Sequence, residues 1–200
     1  MKRYLILLAA IILSGCGSNT SIVNSWRDPK ITVAQEHFKK VLVVVLVKDE
    51  ASRRVAENRI AASNEIFKTS YQYLNETTSD LTKEQKLKIL QDENFDGVVT
   101  MRLVSTEKET NYVPGTYTGM YGYGFGNWYG MYSPAFYDPG YYQETTSYMV
   151  ETNIFSLKEN KLIWTGTTKS DYVTDLGQTV DAIMQAVVKE MRKDGSLPPK

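Results

Sequence analysis

Val41-Leu42-Val43-Val44-Val45-Leu46-Val47 is an unbroken apolar run rich in β-branched residues. A strand with one wet face alternates apolar and polar side chains, and this one does not. It predicts a central strand buried on both faces, with parallel neighbours. Downstream, Ala56, Ile60, Ser63 and Phe67, with Val55, Ala62 and Ile66 beside them, give one inward face to a helix over 50–69. Tyr71-Gln72-Tyr73-Leu74 reads as a short strand, and 82–93 as a short helix with Leu87 and Leu90 inward. Asp96-Gly97 signals a turn into a strand over 98–104. A hairpin follows, with strands over 146–157 and 162–167 joined by Lys158-Glu159-Asn160-Lys161. Val180, Ile183, Met184, Val187 and Met191 set the period of a last helix over 176–192, with Asp175 as its cap and Gly195 just beyond it. The order β-α-β-α-β-β-β-α predicts one α/β (α+β) domain over 37–197: a mixed sheet of about five strands with three helices, and a tail at 198–200.

Composition narrows the partners. Lys+Arg and Asp+Glu each total 23, and loss of Lys2 and Arg3 with a leader leaves 21 against 23, or −2. Nucleic-acid binders carry a basic face, so nucleic acid is not an expected partner. One cysteine and one histidine leave neither an internal disulfide nor the usual zinc ligand sets.

Met1-Lys2-Arg3 is a short positive region, and the apolar stretch after it is too short to span a bilayer, which takes about 20 residues. Residues 1–15 therefore read as a secretion signal. Leu13-Ser14-Gly15-Cys16, directly behind it, resembles the bacterial lipobox. The resemblance implies cleavage before Cys16, diacylation of its thiol, and a palmitate-type anchor on the new amino group. Each buried CH₂ contributes about 0.8 kcal/mol, so several chains hold a protein firmly. Gly17 in place of the aspartate of the enterobacterial retention rule implies the outer membrane, facing the periplasm. Residues 16–36 read as the lipidated N-terminus and tether, within which Trp26 is either a sugar-stacking group or, the preferred reading, an aromatic pin holding the chain start to the domain.

The stretch 112–142, YVPGTYTGMYGYGFGNWYGMYSPAFYDPGYY, holds seven glycines and twelve aromatics, and Asp138 is its only charge. Three readings stay open: a loop with loosely packed aromatics, a binding or self-association surface, and a membrane-contacting loop. On the second, Tyr121, Tyr123, Phe125, Trp128, Tyr129 and Tyr132 are the candidate contact residues. The glycines at 122, 124 and 126 are no dinucleotide loop, because Tyr129 stands where the third glycine belongs and no helix follows.

Catalytic patterns are missing. No phosphate loop is present, and the turn after the central strand is Lys48-Asp49-Glu50, without glycine. His37 has no Gly-x-Ser-x-Gly elbow to serve and reads as a surface or cap histidine. Asp49-Glu50 and Asp92-Glu93 read as solvated helix ends. No enzyme, cofactor or metal is expected.

Several segments together resemble a family of bacterial envelope lipoproteins of the domain-of-unknown-function kind. They are Trp26-Arg27-Asp28-Pro29, Phe38-Lys39-Lys40-Val41-Leu42-Val43, Val99-Thr100-Met101-Arg102-Leu103-Val104 running into Tyr112-Val113-Pro114, the Gly/Tyr-rich insert, Val150-Glu151-Thr152-Asn153-Ile154-Phe155 and Leu162-Ile163-Trp164-Thr165-Gly166. At fold level the element order is similar to the periplasmic domains of the curli-secretion lipoprotein and of the lipoprotein activators of penicillin-binding proteins. The resemblance implies a lipid-anchored module that binds another envelope protein, a glycan or itself in envelope assembly. The alternatives are a homo-oligomeric or pore-forming secretion component, and an envelope glycan or peptide hydrolase.

Overall fold

The computed structural model describes residues 19–74, 78, 80–114 and 140–199. Strand β2, Val41–Leu46, lies between β3, Phe67–Thr69, and β4, Gly97–Val113, and is parallel to both. Its residues alternate between two cores. Val43 and Val45 join the cluster of Ala56, Ile60, Val180, Ile183 and Val187, while Leu42 packs with Leu90 and Phe95 on the other side. The apolar run is buried on both faces as far as Val45, while Leu46 and Val47 at its end are exposed.

The sheet has six strands in the order β1-β6-β5-β4-β2-β3, where β1 is Asn19–Arg27, β5 is Tyr141–Ser156 and β6 is Lys161–Asp171. β1 and β5 both pair antiparallel with β6. Four α-helices occur among the described residues: α1 Val33–Glu36, α2 Glu50–Ala61, α3 Lys83–Asp92 and α4 Leu176–Lys193. Helices α2 and α4 cover one face, and Leu90 of α3 belongs to the cluster on the other. Local chemistry sets the helix starts. Asp49, Thr82 and Asp175 each accept the backbone N–H three residues on, and Thr82 completes a capping box with Gln85. Gly195, at φ +80°, follows the end of α4.

The architecture follows the expected order with three corrections. First, residues 19–27, read as part of a tether over 16–36, form edge strand β1. An edge strand is half solvated, so it needs no apolar run to announce it. Second, α2 ends at Ala61, because the Ser63 hydroxyl donates to the Ile60 carbonyl at 2.6 Å and the Asn64 side chain accepts the Ile66 N–H at 3.1 Å. The next strand is then Phe67–Thr69, and Ser70–Gln72 is a 3₁₀ turn, not the strand expected over 71–74. Third, Val55 and Leu87, assigned inward, are 50% and 41% exposed, and Ala62 and Ser63 are exposed as well.

The chain divides into two compact units. One comprises 1–106 and 147–200 and contains both cores; the other is 107–146. In the second unit, Tyr112 and Tyr142 hold their ring centroids 5.2 Å apart at an interplanar angle of 53°.

Candidate functional site

The residues singled out in the sequence are placed unevenly. Cys16 and the aromatics Tyr121, Tyr123, Phe125, Trp128, Tyr129 and Tyr132 lie outside the described residues. His37 is the exposed C-cap of α1, in the left-handed region at φ 49°, and no hydrogen bond joins it to a serine among the described residues. Trp26 is 48% exposed, so it does not pin the chain start by burial. Asp28 makes that attachment. Its carboxylate accepts the Lys30 and Ile31 N–H groups at 2.7 and 3.1 Å and pairs with Lys161 Nζ at 3.0 Å. The Lys30 N–H, followed by Lys161, holds the Asp28 carboxyl below its ordinary pKa.

Glu57 is the buried charge that sequence reading missed. It is fully buried on α2 and accepts Val45 N–H at 3.1 Å, Ser70 N–H at 2.7 Å and Ser70 Oγ–H at 2.6 Å. Both oxygens are engaged by groups of the fold, so the carboxylate ties α2 to β2 and to the turn after β3. Among the described residues no group of three or more His, Cys, Asp or Glu side chains is placed to hold a metal.

One concave site stands out. A cleft of about 790 Å³ opens between α2 and α4, within the range typical of small-molecule sites. Val99, Met101, Thr152 and Ile154 of the sheet form its floor. Ile60, Ile66 and Phe67 line one wall, and Met184, Val187, Val188 and Met191 of α4 line the other. Phe38 and Val33 contribute as well. Val180, Ile183, Val187 and Met191 are buried, whereas Met184 is half-buried against the cleft. The apolar stripe of α4 is therefore wider than its contact with the sheet.

Polar groups gather at two places. Thr152, 1% exposed, has a side-chain hydroxyl with no hydrogen-bond partner among the described residues. Such groups are rare in a folded interior. On α4, Asp181, Gln185, Lys189 and Arg192 border the cleft, and the last three are exposed. Arg59 of α2 reaches across to Asp181 with both Nε and a terminal nitrogen, the Nε–Oδ1 distance being 2.8 Å. That guanidinium holds the Asp181 carboxyl below its ordinary pKa, and Asp181 raises Arg59 in return. With Asp181 matched by Arg59, the rim is left with two cations, Lys189 and Arg192.

No helix among the described residues is long and apolar enough to cross a membrane. No protein-family model matches the chain, and no curated protein does. Among solved structures, the chain is similar to the PelC dodecamer from Paraburkholderia phytofirmans, at 10% identity over 85% of this chain and 94% of that one, with a TM-score of 0.40. It is also similar to the lipoprotein GNA1162 from Neisseria meningitidis, at 11% identity over 77% of this chain and 98% of that one, with a TM-score of 0.38.

Proposed function

We propose that the chain is a lipid-anchored, non-catalytic binding module of the bacterial envelope, and that its cleft takes an amphiphile with one long apolar body and an anionic end. The observation that carries this reading is the pairing of an apolar cleft of about 790 Å³ with Lys189 and Arg192 at its edge. The apolar body leaves water against Val99, Met101, Ile154, Met184 and Val188, at roughly 25 cal/mol per Å². The anionic end meets the two cations. The lipobox supports attachment through Cys16, and Gly17 supports the outer membrane.

A dansyl-labelled undecanoate supplies the test. It should bind the purified mature chain saturably, with a blue-shifted emission. Met184→Trp, which fills the cleft, should abolish binding while the far-ultraviolet circular dichroism is retained. Lys189→Glu with Arg192→Glu should weaken the anionic probe more than a long-chain alcohol. An unchanged affinity in the filled-cleft variant sinks this reading. For the anchor, Cys16→Ala should move the protein from the membrane to the soluble fraction.

The Gly/Tyr-rich insert supports a second reading, a contact surface for another envelope protein, a glycan or a second copy. Its aromatics are uncharged and give large contact area for little side-chain entropy. In-cell crosslinking from a photoreactive residue at Tyr123 or Trp128 identifies what it touches.

A further inference from the structure

The pairing of β1 shortens the leash of this protein. Only Gly17 and Ser18 separate Cys16 from Asn19, so the lipid-bearing residue lies within about 11 Å of the start of β1 at 3.3–3.6 Å per residue. Asn19 is in register with Asp171 of β6, and Asp171 is in register with Ser147 of β5. Adjacent strands are about 4.8 Å apart, so Ser147 is roughly 10 Å from Asn19. Ser147 is also where β5 enters the larger unit from the unit spanning 107–146. The chain therefore leaves for that unit from the same end of the sheet that carries the anchor.

Its aromatic groups suit a membrane surface. Tyr112, Tyr141 and Tyr142 are 53%, 58% and 74% exposed. Tyr142 is five residues from Ser147 on one continuous strand, at most about 17 Å away. Tyrosine, with an apolar ring and a polar tip, favours the boundary between headgroups and acyl chains.

Resting on the Cys16 anchor of the preceding section, we propose that Tyr112, Tyr141 and Tyr142 form a second membrane contact, seated at the surface of the bilayer that holds the lipid. One short leash and one aromatic contact give the chain two points of attachment to the bilayer, where a lipid on a long tether would give one. Glu107, Glu109 and Glu144 against Lys108 give the described part of that unit a charge of −2, so the surface it suits is zwitterionic.

The lipidated full chain in phosphatidylcholine vesicles provides the test. Lipidation consumes the one native thiol, so Gln143→Cys and Glu159→Cys each introduce a single site for an environment-sensitive fluorophore. Position 143 neighbours the tyrosines, and 159 lies in the turn at the other end of β5 and β6. Nitroxide-bearing lipids should quench the label at 143 at least twofold more than that at 159. Exchanging the three tyrosines for serine should remove the difference while the protein still floats with the vesicles. Added anionic lipid should reduce it.

Equal quenching at 143 and 159 in protein that floats overturns the proposal and leaves the anchor standing. Protein that fails to float overturns the anchor, and the proposal with it. Shielding of 143 that persists without vesicles assigns the tyrosines to self-association and overturns the membrane contact.

Discussion

The indole of Trp164 lies across Gly166, so that a Cβ at position 166 would stand 3.1 Å from both Cζ2 and Cζ3 and closer still to Cη2. Two residues apart on β6, they share one face. The register shift opposite Ile154 and Phe155 leaves Ile163 as an extra residue, and both Ile163 and Trp164 join the core under α2 and α4. Trp164 Nε1 donates to Asp194 Oδ2 at 2.8 Å, which ties the sheet to the end of α4. The Trp-x-Gly spacing is thus a packing requirement.

Gly166→Ala should cost about 1–3 kcal/mol, because a methyl group forces a fully buried ring out of place. Urea denaturation followed by tryptophan fluorescence measures it. A loss below about 0.5 kcal/mol would show that the ring can shift freely.

Glu57→Gln conserves shape and turns one acceptor into a donor. Oε1 accepts Val45 N–H and Ser70 Oγ–H, and Oε2 accepts Ser70 N–H, so either amide orientation faces a donor with a donor. The expected loss is about 1–3 kcal/mol, and it should be less than additive with Ser70→Ala. Strict additivity would deny that the two side chains act as one unit.

Asp28 should shape the acid limb of stability. Its folded-state pKa is lowered by the Lys30 N–H and by Lys161, relative to an unfolded aspartate near 3.9. Its contribution is therefore complete above that value and disappears as pH falls through the folded one. Asp28→Asn should have a lower Tm than the natural chain at pH 6, with the gap closing below about pH 4. A gap that stays constant from pH 3 to 6 contradicts the charge-assisted role.

Replacing 115–139 with a two-residue turn should leave both cores folded. Val43, Ile163 and Trp164 of one core and Leu42, Leu90 and Phe95 of the other all belong to the other unit, and loop length changes closure free energy by only about 0.6 kcal/mol per doubling. The expected Tm shift is a few degrees. Loss of cooperative unfolding would show that the insert contributes to the core.

Much of the architecture was legible because it is written locally. β2 declared itself by having no polar position, and α4 by its 3.6-residue period and its cap, Asp175. The errors of burial share one cause. Val55 and Leu87 fit an apolar period and yet face water, while Glu57, which breaks it, is buried. Periodicity reports which positions can face inward; the donors waiting at Val45 and Ser70 decide which do. The cleft was invisible for the same reason, since Met184 and Val188 look like ordinary core residues of one helix.

By itself, then, the chain determined its two-sided central strand and the starts of its three longer helices, because each depends on side chains a few positions apart. Tertiary structure alone decided that residues 19–27 close the edge of the sheet, where Thr20 and Ser170, 150 positions apart, bring their hydroxyl oxygens to 2.9 Å. It also decided that Arg59 meets Asp181 across the mouth of an apolar cleft. Pairing between remote segments depends on which surfaces are left to bury once local structure has formed, and no short window of sequence carries that information.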